Sequence, residues 1–539
     1  MTASPPSPPS TPSPPVDPDA SADRLRVDAR SVVYEVYVRS FADSDGDGVG
    51  DLPGVTAHLD AVARLGADAV WLTPFYPSPQ ADHGYDVADH RGVDPLFGDL
   101  AAFDALVARA HSLGLGVLVD VVPNHVSVEH PWFRQVLAAG PDDPSRARFH
   151  IRPGTGPDGR RPPNRWRSVF GGPAWSRLPD GSWYLHLFAP EQPDLDWTHP
   201  DVRADLERTL AFWAERGVDG FRVDVAGGLM KHPQLAEVRR GEPHPHWDRP
   251  EVHDVYRSWR RVLDGVRPGL FAVAEVWGPP ERTALYARPD ELGHAFAFEL
   301  VQAPWSATAL RRSVDLQLAA HREAGSLPGW VLGSHDFERA ASRLGPDRAL
   351  ALHLFLLALP GSFTLYGGDE LGLPQVDVPR EAWQDPQALR SDGEQLSRDG
   401  ARVPLPWTPD PPAYGFTTGT PWLPQPPGWG EHARSVQEAD PASAWSVLHR
   451  AIALRRTLWR ESPATVRWLD SPPGVLVALR GDAVAVLNAS NRPHRIALTG
   501  WRAVASSTGV LDQEVVPPGA CVWCTVPPGV VAGGASTVR

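Results

Sequence analysis

At 539 residues the chain is too long for one small core, and its length allows roughly three or four average domains or one barrel with additions. Lys and Arg together number 51 against 65 Asp and Glu, a net charge of -14, which disfavours a nucleic-acid backbone as the main partner. A small, neutral, hydroxyl-rich ligand fits better. The 21 Trp residues suit flat apolar ligand faces, although core packing must account for most of them.

The beginning of the chain, residues 1–22, is rich in Pro and Ser and predicts a disordered tail. It shows no basic and apolar leader, and the longest apolar run, near residues 351–360, is far shorter than the roughly 18 residues of a membrane span. Cys521 and Cys524 lack the partners of a structural zinc site, so we expect them to be structural or incidental. We therefore expect a cytoplasmic protein with no membrane partner.

Eight β-branched or aromatic runs follow the tail, separated by amphipathic stretches, and this alternation predicts βα units around a parallel sheet. The runs are VVYEVYV from Val32, ADAVWLTPF from Ala67, GVLVDVV from Gly116, DGFRVDV from Asp219, FAVAEV from Phe271, AFAFEL from Ala295, WVLGSHD from Trp330 and SFTLYGG from Ser362. Eight strands with crossover helices indicate an α/β protein built on a (β/α)8 TIM barrel.

The predicted barrel is discontinuous in sequence and occupies residues 23–125 and 201–459. Between its third and fourth strands, residues 126–200 are rich in Pro, Gly, Trp and Arg, which indicates an inserted subdomain. Residues 460–530 contain short alternating runs between Pro and Gly turns, which predict a small antiparallel β domain at the C-terminal end.

An aspartate-rich loop, DSDGDGVGD, follows the first run at residues 43–51. Its candidate ligands for a hard cation are Asp43, Asp45, Asp47, Asp51 and the carbonyl of Val49. Gly48 allows the sharp turn, but position twelve is Gly54 rather than glutamate, so the loop is not a full EF-hand. The alternative interpretation is a polar Gly-Asp turn without a metal.

Polar side chains follow several of the runs, at the strand ends where TIM barrels place their catalytic groups. They are Asp120, Asn124 and His125 after the third run, Arg222 and Asp224 after the fourth, Glu275 after the fifth, and His335 and Asp336 after the seventh. A single carboxylate at such a position is more often a helix cap or a salt-bridge partner. An aspartate and a glutamate at the ends of two buried strands are, however, the pair that glycoside hydrolysis needs.

With these residues in place, the chain resembles glycoside hydrolase family 13, the alpha-amylase family, over nearly its whole length after the tail. The resemblance rests on DVVPNH at 120–125, GFRVDVAGG at 220–228, AEVW at 274–277 and SHDFER at 334–339. EQPDLDW from Glu191 resembles a further block of the alpha-glucosidase and oligo-1,6-glucosidase branch, and the overall likeness is to alpha-glucosidases of the actinobacterial type.

The resemblance implies a role for each of the three acidic residues. Asp224 would be the nucleophile, Glu275 the general acid/base, and Asp336 the carboxylate that grips sugar hydroxyls in the transition state. The implied mechanism is retaining and passes through a covalent glucosyl-enzyme. We expect Arg222, which shares a strand face with Asp224, to keep the pKa of the nucleophile low.

The same resemblance implies a set of sugar-binding residues. His125 and His335 resemble hydrogen-bond donors to the sugar in the cleavage subsite, and Tyr85 resembles the aromatic platform beneath it. Asp82 and Arg339 resemble the charged pair that closes the far end of this subsite in exo-acting enzymes. A closed end favours release of single glucose units over cleavage within a polymer.

The predicted function is therefore an exo-acting retaining alpha-glucosidase that acts on short oligosaccharides or alpha-glucosides. The reaction needs no catalytic cofactor, and calcium-binding relatives favour a structural Ca2+, or Mg2+, in the aspartate loop. A glucosyltransferase or a trehalose-forming isomerase of the same family is the alternative, and a noncatalytic binding homologue is a third. Val225 resembles the residue that follows the nucleophile in members that prefer alpha-1,6 linkages. Ser334, Asp196 and Gly227 differ from the residues usual in these blocks, so the linkage preference stays open.

Overall fold

The computed structural model describes residues 27–242, 244–460, 462–495, 501–511 and 515–525. The tail predicted at residues 1–22 lies outside them. No helix in these ranges is long and apolar enough to cross a membrane.

The eight predicted runs form one closed parallel barrel, which confirms the predicted fold class. Its strands, in chain order, are Val32–Val36, Ala69–Leu72, Gly116–Val121, Gly220–Val223, Phe271–Ala274, Gly293–Ala297, Gly329–Val331 and Ser362–Tyr366. The first strand pairs with both the second and the eighth, which closes the ring. Continuous apolar strands such as GVLVDV, buried at all six positions, are typical of a parallel sheet covered on both faces.

Helices surround the barrel and connect its strands. The longer helices are Leu52–Leu65, Leu100–Ser112, Pro131–Ala138, Pro200–Glu215, Val252–Val266, Ala307–Ala324, Pro346–Leu357 and Ala444–Trp459. Short α-helices are Pro280–Thr283, Glu299–Gln302, Ala340–Leu344, Pro386–Arg390, Asp399–Arg402 and Arg434–Ala439, and 3-10 turns are Val38–Ser40, Pro144–Arg148, Ala284–Ala287, Arg380–Ala382 and Trp429–His432. The first long helix begins where Asp51 accepts a hydrogen bond from the Gly54 amide at 2.6 Å, and it ends at Gly66 in the left-handed region.

The insertion after the third strand contains a three-stranded antiparallel sheet of Ile151–Arg152, Trp183–Leu185 and Trp175–Arg177. An isolated bridge between His125 and Asp194 joins the insertion to the end of the third barrel strand. The insertion therefore stands over the C-terminal end of the barrel, next to the predicted site.

The C-terminal region forms the expected antiparallel β domain. Its five-stranded sheet has the order Arg467–Trp468, Val475–Arg480, Ala483–Asn488, Cys521–Thr525 and Arg502–Ser506, and His494–Arg495 pairs separately with Val515–Val516. Trp523 fixes the sheet to the barrel, because its indole nitrogen donates to the Leu354 carbonyl at 3.2 Å. Both cysteines lie buried in the strand Cys521–Thr525 and are not bonded to each other.

Candidate active site

A cavity of about 480 Å³ opens at the C-terminal ends of the barrel strands. Seven of the predicted catalytic and substrate-binding residues line it, namely Asp82, Tyr85, His125, Arg222, Asp224, Glu275 and Asp336. His335 and Arg339 do not belong to this lining; each is almost fully buried behind it. The position of the cavity agrees with the strand-end rule for TIM barrels.

Arg222, on the fourth strand, holds the two predicted catalytic carboxylates together. Its side chain is 2% exposed, with Nη1 2.5 Å from Asp224 Oδ1 and Nη2 3.2 Å from Glu275 Oε2. Nη1 also lies 2.9 Å from Asp120 on the neighbouring third strand. One permanently charged guanidinium therefore bridges the aspartate and the glutamate that glycoside hydrolysis requires.

Asp224 is buried beside these charges. Burial raises the pKa of its carboxyl well above the ordinary value, Arg222 lowers it, and the nearby Glu275 and Asp120 raise it further. The expectation that Arg222 keeps this pKa low is therefore wrong, because the loss of hydration outweighs the attraction of one guanidinium. If Asp224 is the nucleophile, as the sequence predicts, positive charge developing at the anomeric carbon of a bound sugar would favour its ionised form.

Glu275, at the end of the fifth strand, receives two hydrogen-bond donors on one oxygen. The Val225 amide donates to Oε2 at 2.8 Å, and Arg222 Nη2 lies 3.2 Å from the same atom. Oε1 is therefore the oxygen left to carry the proton of a general acid. Val225 has a φ of 45°, a strained conformation for a β-branched residue, and this conformation points its amide at Glu275.

Asp336, after the seventh strand, lies among positive charges. Its Oδ1 is 3.1 Å from Arg398 and 3.0 Å from Arg402, and its Oδ2 is 3.4 Å from His335. Burial alone would raise the pKa of this carboxyl, but His335, Arg398 and Arg402 together hold it well below the ordinary value. Asp336 is therefore the carboxylate of the pocket that stays ionised most readily.

The predicted pair of Asp82 and Arg339 is wrong. Asp82 instead pairs with Arg398 at 3.0 Å, and the two side chains are only 5% and 10% exposed. Arg339 points away from the cavity and donates to the carbonyls of Gly367 and Ala401, each at 2.8 Å. Burial raises the pKa of Asp82 to about 6 even though Arg398 lowers it.

Tyr85 and His125 form the wall of the cavity beside Asp82, and His335 lies behind Tyr85. Tyr85 stacks on His335 with ring centroids 5.4 Å apart, and its hydroxyl lies 3.0 Å from Asp120 and 2.9 Å from His335. His335 thus supports the predicted platform from behind. Burial lowers the pKa of His125 to about 3, so its imidazole is neutral and can exchange hydrogen bonds with hydroxyl groups.

Sequence reasoning missed Arg398 and Arg402, which lie on the long loop after the eighth strand, and Gln192 in the insertion. The amide nitrogen of Gln192 is 3.1 Å from both Asp82 and His125. The sequence offered one weak signal for the two arginines. Arg398 directly precedes and Arg402 ends the short helix Asp399–Arg402 in a loop after a barrel strand, and such loops carry function in TIM barrels.

Lys231 fixes the loop that follows Asp224, the predicted nucleophile. Its side chain is 0% exposed, and its ammonium group lies 2.8 Å from Asp194 Oδ2 in the insertion. It also donates to Asn124 Oδ1 and to the Gly228 carbonyl, both at 2.7 Å. The segment after the third strand, the loop after Asp224 and the insertion therefore meet at one ammonium group.

The aspartate loop lies apart from the residues that line the cavity. Asp43, Asp45 and Asp51 each offer an oxygen within 4.8 Å of the others, which suits a hard cation. Asp47 is outside this group and accepts a hydrogen bond from the Val49 amide at 2.8 Å. The hydroxyl of Thr417, in the loop after the eighth strand, donates to Asp43. This hydrogen bond joins the aspartate loop after the first strand to the loop after the eighth.

A TIM barrel with an aspartate and a glutamate bridged by arginine in a strand-end pocket defines the chain as a glycoside hydrolase. Residues 35–461 match the family model of the alpha amylase catalytic domain, and the chain belongs to the alpha-amylase family.

The chain is also similar to individual members of that family. A probable alpha-glucosidase of Rhizobium meliloti (strain 1021) is 36% identical over 84% of this chain and 86% of its own. The oligo-1,6-glucosidase of Parageobacillus thermoglucosidasius is 34% identical over 79% and 83%, respectively. Among solved structures, the alpha-glucosyl transfer enzyme XgtA superposes with a TM-score of 0.83 at 34% identity and covers 93% of this chain and 99% of that one.

Proposed function

We propose that the protein is an exo-acting, retaining alpha-glucosidase that releases terminal glucose from short alpha-linked oligosaccharides or alpha-glucosides. The observation that carries this proposal is the Asp82–Arg398 ion pair, which lines the cavity and is almost fully buried. A pocket closed by two such side chains admits one sugar ring beyond the catalytic pair but not a continuing polymer. Relatives named alpha-glucosidase and oligo-1,6-glucosidase support the same activity.

In this proposal, Asp224 attacks the anomeric carbon while Glu275 protonates the oxygen of the leaving group, so that the glycosidic bond breaks as an ester bond to Asp224 forms. Water then attacks the anomeric carbon as Glu275 accepts its proton, the ester bond to Asp224 breaks, and alpha-glucose leaves with retained configuration. Arg222 holds both carboxylates in place throughout. The ionised Asp336 would bind hydroxyls of the distorted sugar.

The proposal includes a structural cation in the aspartate loop, held by Asp43, Asp45 and Asp51, with Ca2+ favoured and Mg2+ possible. Its role would be to stabilise the first loop of the barrel, because no residue of this cluster lines the described cavity. We also propose that the enzyme works in the cytoplasm on small sugar substrates, away from nucleic acid and membranes. Two thiols that are not bonded to each other fit a reducing compartment.

Proton NMR of the purified protein with maltose and isomaltose tests the activity. Early appearance of alpha-glucose supports retaining hydrolysis, and the disaccharide that disappears first gives the linkage preference. Asp224→Asn should lower kcat by about 10⁴-fold or more, because an amide cannot form the covalent intermediate. A variant that kept its turnover would exclude Asp224 as the nucleophile.

Transfer of glucose to another sugar is the second candidate, and the resemblance to a solved alpha-glucosyl transfer enzyme favours it. The covalent intermediate would be the same, and only the acceptor would differ. Accumulation of longer oligosaccharides or of trehalose in the same NMR experiment, in place of free glucose, would establish transfer or isomerisation.

A further inference from the structure

A second cavity, of about 440 Å³, lies between the barrel and the C-terminal β domain. Its barrel side includes the start of the helix Pro346–Leu357, and its other side includes the turns of the β domain at residues 507–508 and 517–520. Most of its lining is Ala, Pro and Gly, and these small residues leave a space nearly as large as the catalytic cavity of about 480 Å³. None of the described residues lines both cavities, so the two are separate spaces.

Two polar side chains of the lining, His353 and Asp369, each have an atom without a hydrogen-bond partner among the described residues. His353 is 2% exposed and its Nδ1 is unpaired, and Asp369 is 7% exposed and its Oδ2 is unpaired. His353 Nε2 lies 3.8 Å from Asp369 Oδ2, which is too far for a hydrogen bond. Because buried polar atoms are costly without a partner, both indicate a hydrogen-bonding molecule inside the cavity.

The charges around these two side chains favour a neutral molecule. Arg339 lies 3.4 Å from Asp369 Oδ1, and burial together with Arg343 lowers the pKa of His353 to about 3, so its imidazole is neutral. A cation in the cavity would be repelled by the two guanidinium groups. An anion would meet the carboxylates of Asp347 and Asp369, which both line the cavity.

Hydroxyl groups match the polar atoms that the cavity offers. A hydroxyl both donates and accepts, so it can donate to Asp369 Oδ2 and exchange a hydrogen bond with the neutral ring of His353. Ser507 adds a hydroxyl from the β domain; its oxygen accepts from the Cys521 amide at 3.0 Å, which leaves its hydrogen to donate. Apolar walls with a few polar groups on opposite sides are typical of a site for a small molecule.

We propose that this interdomain cavity is a second binding site, outside the active site, for a neutral, hydroxyl-rich molecule about the size of one hexose. A molecule bound there touches the barrel and the β domain together, so its binding stabilises the folded protein. The inference goes beyond the proposed function and does not depend on it.

Thermal unfolding with D-glucose as the probe tests the site in an Arg398→Met background, because Arg398 holds the aspartates Asp82 and Asp336 of the catalytic cavity. In that background, we expect glucose at about 100 mM to raise the melting temperature by about 1 °C or more. Adding His353→Leu, which removes the ring nitrogens at similar volume, should remove this rise. With Arg398 intact, His353→Leu should leave kcat/KM for a cleaved glucoside within about threefold of wild type.

His321→Leu is the matched control, because His321 is another fully buried histidine, on the outer helix Ala307–Ala324, and lines neither cavity. It should keep the rise in melting temperature. Crystals soaked in D-glucose should show the sugar within hydrogen-bonding distance of His353 and Asp369, and this result decides the matter if the His353 variant does not fold.

An equal rise in all these variants would be the general effect of a sugar on protein stability, and it would overturn the inference. Ordered water alone in the soaked crystals would also overturn it, as would a sugar seen in the crystal without any rise in melting temperature, which is binding at crystal concentration only. Failure to cleave any glucoside would instead overturn the proposed function and leave this inference standing.

Discussion

Arg398 binds three carboxylates at the closed end of the pocket. Its guanidinium lies 3.0 Å from Asp82, 3.1 Å from Asp336 and 2.7 Å from Asp385. It connects Asp82 and Asp336, which are both predicted to bind the sugar, so we expect the position of a bound glucose ring to depend on it.

Arg398→Met should lower kcat/KM by about 100-fold, because Asp82 and Asp336 lose the cation that orients them. Arg339→Met is the matched variant: it removes bonds to two carbonyls behind the pocket, so it should lower the melting temperature and leave kcat/KM within about threefold. Steady-state kinetics and thermal unfolding of both variants check this. If Arg339→Met lowered kcat/KM by about 100-fold and Arg398→Met left it nearly unchanged, Arg339 would be the pocket residue.

The comparison of Arg222 with Arg339 shows what the sequence can and cannot predict at a single residue. Arg222 lies inside a strand, where alternation fixes which way the side chain points, so its contact with Asp224 was predictable. Arg339 lies in the loop after the seventh strand, which ends at Val331, and directly precedes the short helix Ala340–Leu344, where spacing gives no direction for a long flexible side chain. Its partners became visible only in the folded structure.

At the level of elements, the long loop after the eighth strand forms one side of the pocket. Asp385 begins the helix Pro386–Arg390 by accepting from the Gln387 amide at 3.0 Å, and it also holds Arg398. This double role makes Asp385 the residue that joins the local fold of the loop to the pocket. Sequence patterns did not predict it, because the loop is mostly irregular.

The pH dependence of stability should report on Asp385. Burial alone would raise the pKa of this carboxyl, but Arg398 and Arg402 lower it to about 2. A lowered pKa stabilises the fold above the unfolded value, near 3.9, and this contribution disappears as the pH falls towards 2. Asp385→Asn should therefore cost about 2 kcal/mol in urea unfolding at pH 7 and clearly less at pH 3. An equal loss at both pH values would contradict the assignment.

The aspartate loop is the second element with a measurable consequence. If Ca2+ binds there, millimolar Ca2+ should raise the melting temperature by about 2 °C or more, and a chelator should reverse the change. Asp45→Asn should abolish the response. Asp60→Asn is the control and should preserve the response to Ca2+. Asp60 is an exposed carboxylate that pairs with Arg64 on the helix Leu52–Leu65, which follows the loop. A response to Ca2+ that survives in the Asp45 variant would place the cation elsewhere.

Sequence patterns predicted the regular elements well for a physical reason. Seven of the eight barrel strands are short, mostly apolar runs that are buried at every position, such as Ser362–Tyr366, and Gly or Pro residues mark many of their limits. The strand-end carboxylates were predictable because they follow these runs directly. Arg398, Arg402 and Gln192 belong to irregular segments, whose path depends on contacts between distant parts of the chain.

At the level of the whole molecule, the C-terminal β domain supports the barrel without entering the site. Of the described residues beyond 459, none lines the catalytic cavity. The contact is centred on Trp523, which is 0% exposed and packs edge-on against Trp459 with centroids 4.7 Å apart.

Trp523→Ala should destabilise the protein by about 4 kcal/mol, because it leaves a large cavity between the two domains. The KM of the folded enzyme should not change. Trp468→Ala, at a partly exposed indole bound to Asp315, should cost much less. Chemical unfolding and steady-state kinetics measure both effects, and a raised KM for the Trp523 variant would show that the β domain shapes the pocket.

Lys231 is the only lysine of the sequence, and its ammonium group is enclosed by Asp194, Asn124 and Gly228 with no exposed surface. Reagents that acylate amines cannot reach it in the folded protein. The side chains of these 539 residues then offer no reactive amine in the native state. A succinimidyl ester should therefore modify Lys231 only after the protein unfolds, so that acylation of this one side chain reports on unfolding.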